Sequence, residues 1–316
     1  MMSAMKPDLG VGVGLRVPHY AAILAERPAV DFFEVISENF MVEGGKPLHH
    51  LERVLEHYRV VQHGVSLGIA GPNPPDRAYL QRLKLLVSRT KTPWVSDHFC
   101  WSGAGGAHLH DLLPIPYTPE AVRRIAERAR MIQDFLEVPF ALENTSSYLT
   151  YRSSTLTEWE LISEVAERAD IGLLFDVNNV YVSAYNHGFD AQEFVRSVPH
   201  ERILQIHLAG HTNLGKYIID THRGTVIDAV LDLYRTTIAL AGPVSTLIEW
   251  DDEIPALPVL LAEAERARRV RDQGLALRAG QVVPTGPSSA SPVVASDAPL
   301  WRQGGPRESA ADEAVG

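Results

Sequence analysis

The sequence predicts a single α/β domain, a closed (β/α)8 barrel, on three observations. Short β-rich runs alternate with helical patterns along most of the 316 residues, the signature of βαβ units and a parallel sheet. Eight such units fit within about 260 residues, the ordinary size of one barrel domain. Run after run then ends on a histidine or an acid, where a barrel carries its active-site face.

The runs cover residues 11–15, 31–37, 60–67, 93–98, 140–143, 172–177, 203–207 and 245–249. Around the first, Gly10, Gly12 and Gly14 weakly echo a dinucleotide-binding fingerprint. The third glycine of that motif would fall at Leu15, so the glycines read as easing the first barrel strand. Leu48, Leu51, Leu55 and Tyr58 make one helical face before the third run closes the next unit. Thr118-Pro119 opens a helix with Val122, Ile125, Ala129 and Ile132 on one stripe. Thr157 and Glu160 have capping-box spacing ahead of Leu161, Ile162 and Val165. Ile227, Val230, Leu231 and Tyr234 repeat the apolar face before the last run. Residues 1–9 form an N-terminal extension and 10–274 the barrel. The remainder, 275–316, turns rich in Pro, Ser, Ala and Gly and reads as a disordered tail.

Composition narrows the function classes. The formal charge is −10, from 39 acidic and 29 basic residues, and phosphate binding needs a basic surface. No nucleic-acid partner is therefore expected. Cys100 is the one cysteine, which rules out an intramolecular disulfide and a Cys-based zinc site. It reads as a small core residue. The first residues lack a signal-peptide core, and no run approaches the roughly 18–20 apolar residues of a membrane span. A soluble, cytoplasmic protein without a membrane partner is the expectation.

The chemistry lies in where the histidines and acids fall. His63 sits in Val-Gln-His-Gly-Val, and His98 closes Pro-Trp-Val-Ser-Asp-His. Glu143 closes Phe-Ala-Leu-Glu, Asp176 closes Leu-Leu-Phe-Asp, His207 closes Leu-Gln-Ile-His, and Glu249 closes Thr-Leu-Ile-Glu. Any one such histidine is most simply a hydrogen-bonded core residue. Carboxylates after such apolar runs are different, because burying one unpaired is costly. Six such residues on six consecutive strands are explained together by one cluster of divalent cations. Asp220 and His222, two apart, point to one side of an extended segment, and Asn178, Asn179, His187 and His211 follow the sixth and seventh strands. Nitrogen and oxygen donors without thiolate suit iron, manganese or zinc, and composition does not choose among them. Asp97, Glu34 and Glu38 are candidate acid–base or supporting carboxylates, and Glu143 is the candidate bridge between ions.

The order His63, His98, Glu143, Asp176, Asn179, His207, Asp220-x-His222, Glu249 resembles the trinuclear site of endonuclease IV, in the xylose-isomerase-like barrel superfamily. Asn179 departs from the histidine of that pattern. A fuller likeness lies in Gly12-Val-Gly-Leu-Arg, Glu34-Val-Ile-Ser-Glu-Asn-Phe, Ser96-Asp-His-Phe-Cys-Trp and Leu142-Glu-Asn-Thr-Ser-Ser-Tyr. It continues through Phe175-Asp-Val-Asn-Asn-Val-Tyr, Ile206-His-Leu-Ala-Gly-His, Asp220-Thr-His-Arg and Leu247-Ile-Glu-Trp-Asp. In these segments the chain resembles the multinuclear non-haem iron-dependent oxidative enzymes, the family of the methanobactin-maturation enzyme.

The resemblance implies a xylose-isomerase-like barrel holding two or three irons, with dioxygen as co-substrate. It implies a ribosomally made precursor peptide as substrate, modified at cysteine, and a partner protein that recognises the peptide's leader. By the same resemblance His63, His98 and Glu143 hold one iron. Glu143, Asp176, His207 and Glu249 hold the second, and Asp220 and His222, with His211 or Asn179, hold a third. A metal-dependent sugar isomerase or an endonuclease IV-like phosphodiesterase on the same barrel is the alternative.

Overall fold

A computed structural model describes residues 7–104 and 107–283, with the side chains of 104 and 107–111 left aside. Eight strands alternate with helices, and all eight runs expected from sequence are present. They are β1 (Val11–Gly14), β2 (Phe33–Ile36), β3 (Val60–His63), β4 (Val95–His98), β5 (Phe140–Glu143), β6 (Gly172–Asp176), β7 (Ile203–Ala209) and β8 (Ser245–Glu249). Each pairs in parallel with its sequence neighbours, and β1 pairs with β8, so the sheet closes into a barrel. The prediction of a (β/α)8 barrel holds.

The helices are α1 (Tyr20–Glu26), α2 (Lys46–Leu55), α3 (Arg77–Thr90), α4 (Pro119–Leu136), α5 (Glu158–Ala169), α6 (Val177–His187), α7 (Ala191–Ser197), α8 (Asp228–Ala241) and α9 (Leu257–Arg278). Their sequence signals act as expected. Thr118 caps α4 by accepting from the Ala121 N–H, and Val122, Ile125, Ala129 and Ile132 are buried against the barrel. Thr157 and Glu160 form a reciprocal capping box at α5, which satisfies two otherwise orphan N–H groups.

Strands β1, β2, β4 and β6 are one to three residues shorter than their expected runs, and three further boundaries differ for a visible reason. The third run stops at His63 because the amides of Val65, Ser66 and Leu67 are taken by the carboxylates of Glu38 and Asp97 instead of by a neighbouring strand. Strand β7 runs two residues past His207, since Ala209 still pairs with Glu249. Helix α9 continues to Arg278, beyond residue 274 where the sequence pattern ended the barrel. The expected tail from 284 onward, and residues 1–6, lie outside the described residues. Two antiparallel hairpins had no sequence signal. Trp101–Ala104 pairs with Ala107–Leu113 after β4, and Thr212–Asn213 pairs with Ile218–Ile219 after β7.

The barrel interior explains how the site is held. Phe32, Val61, Trp94, Ala141, Leu174 and Leu247 form a buried apolar plug with Leu9 and Leu204. Side chains alternate along a strand, so the residues two further on enter the same interior one layer higher. Those residues are Glu34, His63, Ser96, Glu143, Asp176 and Glu249, with His98 another two beyond Ser96. An apolar floor therefore carries a polar storey at the C-terminal ends of the strands. A second apolar layer, between strands and helices, seals the barrel from outside. No described helix is long and apolar enough to cross a membrane.

Candidate metal centre

His98 and Glu143 are ladder partners on adjacent strands, and His63 lies one strand further round. Both imidazoles aim Nε2 at the same atom, Glu143 Oε2, each at 3.2 Å. They are held from behind. His63 Nδ1 is 2.9 Å from Ser96 Oγ, whose hydroxyl donates to Gln62 O, and His98 Nδ1 donates to Gly64 O at 3.1 Å. Once an ion displaces any Nε2 proton, a proton kept on each Nδ1 leaves both Nε2 lone pairs free to ligate, the arrangement by which outer hydrogen bonds orient imidazole ligands. Burial opposes charge on His98, but Glu143 and Asp97 outweigh it and raise its pKa to about 9. Burial, then the neighbouring His98 and His207, drive His63 well down.

The other oxygen of Glu143 joins a second group. His207 Nδ1 stands 3.4 Å from Glu143 Oε1 and 3.1 Å from Glu249 Oε2, and an oxygen of Asp176 completes a set of four donors mutually within 4.8 Å. Behind His207, Nε2 is 3.1 Å from Glu34 Oε2. The Gln205 amide donates to that same oxygen at 2.5 Å, and the Trp94 indole fixes the amide's direction by donating to Gln205 Oε1 at 2.8 Å. Of the two candidates on that segment, Glu34 supports the site and Glu38 clamps the loop after β3. Asp176 does two jobs at once. It ends β6 and caps α6, accepting the Asn179 N–H through Oδ1 at 2.5 Å.

The charges are tightly interdependent. Burial, then Glu143 and Asp220, push the Asp176 carboxyl well up. Burial would do the same to Glu249, but His222 and His207 overcome it and hold that carboxyl well below its usual range. Burial also raises Glu34.

His222 lies at the rim, with Nε2 3.1 Å from Asp220 Oδ1 and Nδ1 3.4 Å from Glu249 Oε2. Asn178 donates to Asp220 Oδ1 and its own Oδ1 meets His211 Nδ1 at 2.7 Å, so that amide stands between His211 and the group. His211 also stacks on Tyr181. Asn179 donates to Asn144 O and leaves Oδ1 buried without a hydrogen bond. His187 binds Ser147 instead. Asp97 spends Oδ1 on the His98 amide and Oδ2 on the Leu67 amide, so both oxygens are engaged in holding backbone. Cys100 is fully buried.

Residues from six strands thus converge. Among the described residues Glu143 Oε2, Asp176 Oδ2, Asn179 Oδ1, His207 Nδ1 and His222 Nε2 are buried polar atoms without a hydrogen bond. Native proteins rarely leave such atoms orphaned, and converging buried carboxylates are expensive. Metal cations between the donors satisfy both demands, so the donor set fits multinuclear metal binding. Sequence reasoning missed Arg16, Asn144, Gln205 and Asp251. Gln205 and Asp251 lie two residues from His207 and Glu249, a spacing that could have found them.

Fold and site together define a (β/α)8-barrel protein with a buried histidine–carboxylate centre at its C-terminal face. More particularly, the chain belongs to the family of RiPP precursor modification enzymes MbnB/TglH/ChrH, which act on ribosomally synthesised, post-translationally modified peptides, and whose family model matches residues 10–272. It is 51% identical over 268 residues to a UPF0276 protein of Anaeromyxobacter sp. (strain Fw109-5), covering 85% of this chain and 95% of that one. It is 49% identical over 265 residues to a UPF0276 protein of Caulobacter vibrioides, covering 84% and 95%. Among solved structures, an L-ribulose 3-epimerase superposes with a TM-score of 0.56 at 14% identity, over 85% of this chain and 95% of that one. Endonuclease IV from Thermus thermophilus gives 0.50 at 15%, over 84% and 98%. Those two likenesses are of fold.

Proposed function

We propose that the chain is an iron-dependent, dioxygen-using oxidoreductase that modifies a precursor peptide at cysteine, in the cytoplasm, with a partner protein recognising the peptide's leader. The observation that carries the metal reading is Glu143. Its two oxygens face two separate donor groups in a buried, all-nitrogen-and-oxygen setting. Family membership supports the peptide substrate.

His63, His98 and Glu143 would hold the first ion, and Glu143, Asp176, His207 and Glu249 the second. Asp220 and His222, with Asn179, would hold a third, and His211 would stand behind Asn178 as a supporting partner. Bound there, iron supplies the redox chemistry that couples reduction of dioxygen to oxidation of the peptide. The chain's own part is to orient and to shield. Ser96 and the Gly64 carbonyl set the two imidazoles of the first group. Glu34, Gln205 and Trp94 set His207, and Asp97 fixes the backbone of His98 and of the loop beside it. The apolar floor below excludes water from the donors, which strengthens every charge interaction among them.

The test is metal analysis of protein purified without oxygen, with Mössbauer spectroscopy on an isotopically enriched iron sample. Two or three spin-coupled irons per chain, and oxygen consumption that depends on a cysteine-containing precursor, are expected. Stoichiometric zinc or manganese that iron does not replace would overturn the proposal.

A further inference from the structure

Arg16 lies two residues past β1, nine-tenths buried, and its guanidinium reaches across the barrel closure to the residues after β8. It donates from Nε to Asp251 Oδ1 at 2.6 Å and stands 3.5 Å from Glu249 Oε1. Each carboxylate therefore gives one oxygen to Arg16 and turns the other toward His222 Nδ1. Glu249 Oε2 is 3.4 Å from that nitrogen and Asp251 Oδ2 is 3.6 Å. Gly14 leaves the room, since a Cβ there would stand 2.9 Å from the guanidinium carbon.

The backbone tells the same story. His222 has a φ of 49°, in the left-handed region that few non-glycine residues adopt. Such a conformation persists when its surroundings over-determine it. Here the N–H of Asp251 donates to His222 O at 2.9 Å, so one residue holds His222 by main chain and side chain together. With Nδ1 turned to Glu249 and Asp251, the buried and otherwise orphaned Nε2 faces Asp220.

We infer that Arg16 and Asp251 form a clasp that positions His222 for the third ion, so that occupancy of that ion depends on Arg16 far more steeply than that of the first two. The inference rests on the metal reading proposed above. It makes Arg16 a positioning residue that touches neither ion nor substrate. Outer partners of metal ligands typically change affinity by about 10- to 100-fold when lost.

The experiment titrates cobalt(II) alone, without oxygen, into metal-free full-length protein and follows the ligand-field spectrum. Wild type is expected to take up three ions in resolved phases. Arg16→Met should keep the first two phases and weaken the third by about 10- to 100-fold. Arg16→Lys, which restores the charge without the fork, should fall between, and Asp251→Asn should match Arg16→Met. The retained first two phases report that the variants are folded. A normal third phase in Arg16→Met overturns the inference. So does its loss in Asp251→Asn alone, which would make Asp251 a ligand, and so does loss of the second phase in Arg16→Met. Wild type that stops at two ions removes the third-ion reading, and the clasp with it, while leaving the first two sites standing. Wild type that binds none overturns the metal reading itself.

Discussion

Glu143 Oε1 stands 3.4 Å from His207 Nδ1, on a strand three and four places round the barrel from the two imidazoles that face its other oxygen. One carboxylate thereby joins both sides of the barrel interior. Changing Glu143→Gln keeps the volume and removes the shared charge. The variant is expected to fold, to lose at least one ion, and to bind metal at least about 100-fold more weakly, beyond the range of an outer-partner loss. Elemental analysis after anaerobic loading checks this, and unchanged metal content would rule out the bridge.

Metal uptake should release protons and tighten as pH rises. In the ion-free protein Glu143 and Asp97, outweighing burial, hold the His98 pKa at about 9, so its imidazole carries a proton at neutral pH that an ion must displace. Apparent affinity should climb between about pH 6.5 and 9. The stability effect has the opposite sign. A folded-state pKa above the unfolded value stabilises the ion-free protein below about pH 6.5, and that contribution is lost as pH rises through 9. Calorimetry in buffers of different ionisation enthalpy, with melting curves of the ion-free protein, reads both.

Gly210 follows the end of β7 and lies under the loop that carries His222. An added Cβ would run into the backbone carbonyls of Arg223 and Gly224. Gly210→Ala should cost about 1–3 kcal/mol through overpacking. It should also weaken the last ion to bind, because the obstructed loop is the one that presents Asp220 and His222. A variant with normal melting temperature and normal metal stoichiometry would contradict this.

A contrasting substitution lies far from the donors. Thr157 accepts the Glu160 N–H at 3.3 Å and donates its own N–H to Glu160 Oε2 at 2.7 Å. Thr157→Ala should destabilise the fold by about 1 kcal/mol. At roughly 2–4 °C of melting temperature per kcal/mol for a domain of this size, the shift is measurable. Metal content and activity of the folded protein should not change.

The centre was legible where strand periodicity governs it. His63, His98, Glu143, Asp176 and Glu249 each close a strand, and the period of two that buries Val61, Ala141, Leu174 and Leu247 delivers a ligand candidate two residues later. Periodicity fails once the chain leaves the sheet. Nothing in a regular pattern announces that Arg16 and Asp251 will meet across the barrel closure, or that His222 will turn left-handed. The apolar Val65 and Leu67 also made the third strand look longer than it is, because the carboxylates that capture their amides come from elsewhere in the chain. The hairpins after β4 and β7 were invisible for a related reason. Each is a local pairing with no partner in the barrel to impose an alternation on its sequence.

Asp176 ends β6 and caps α6 with no residue between them, so on that side of the mouth the scaffold itself is the site. The strands β4 and β7 are followed instead by excursions into separate hairpins before the chain returns to a helix or to His222. The rim is accordingly divided between an arc built into the barrel and an arc of hairpins paired outside it. A change of length or composition in either hairpin should leave Asp176, Glu143 and Glu249 in place, because each ends a barrel strand.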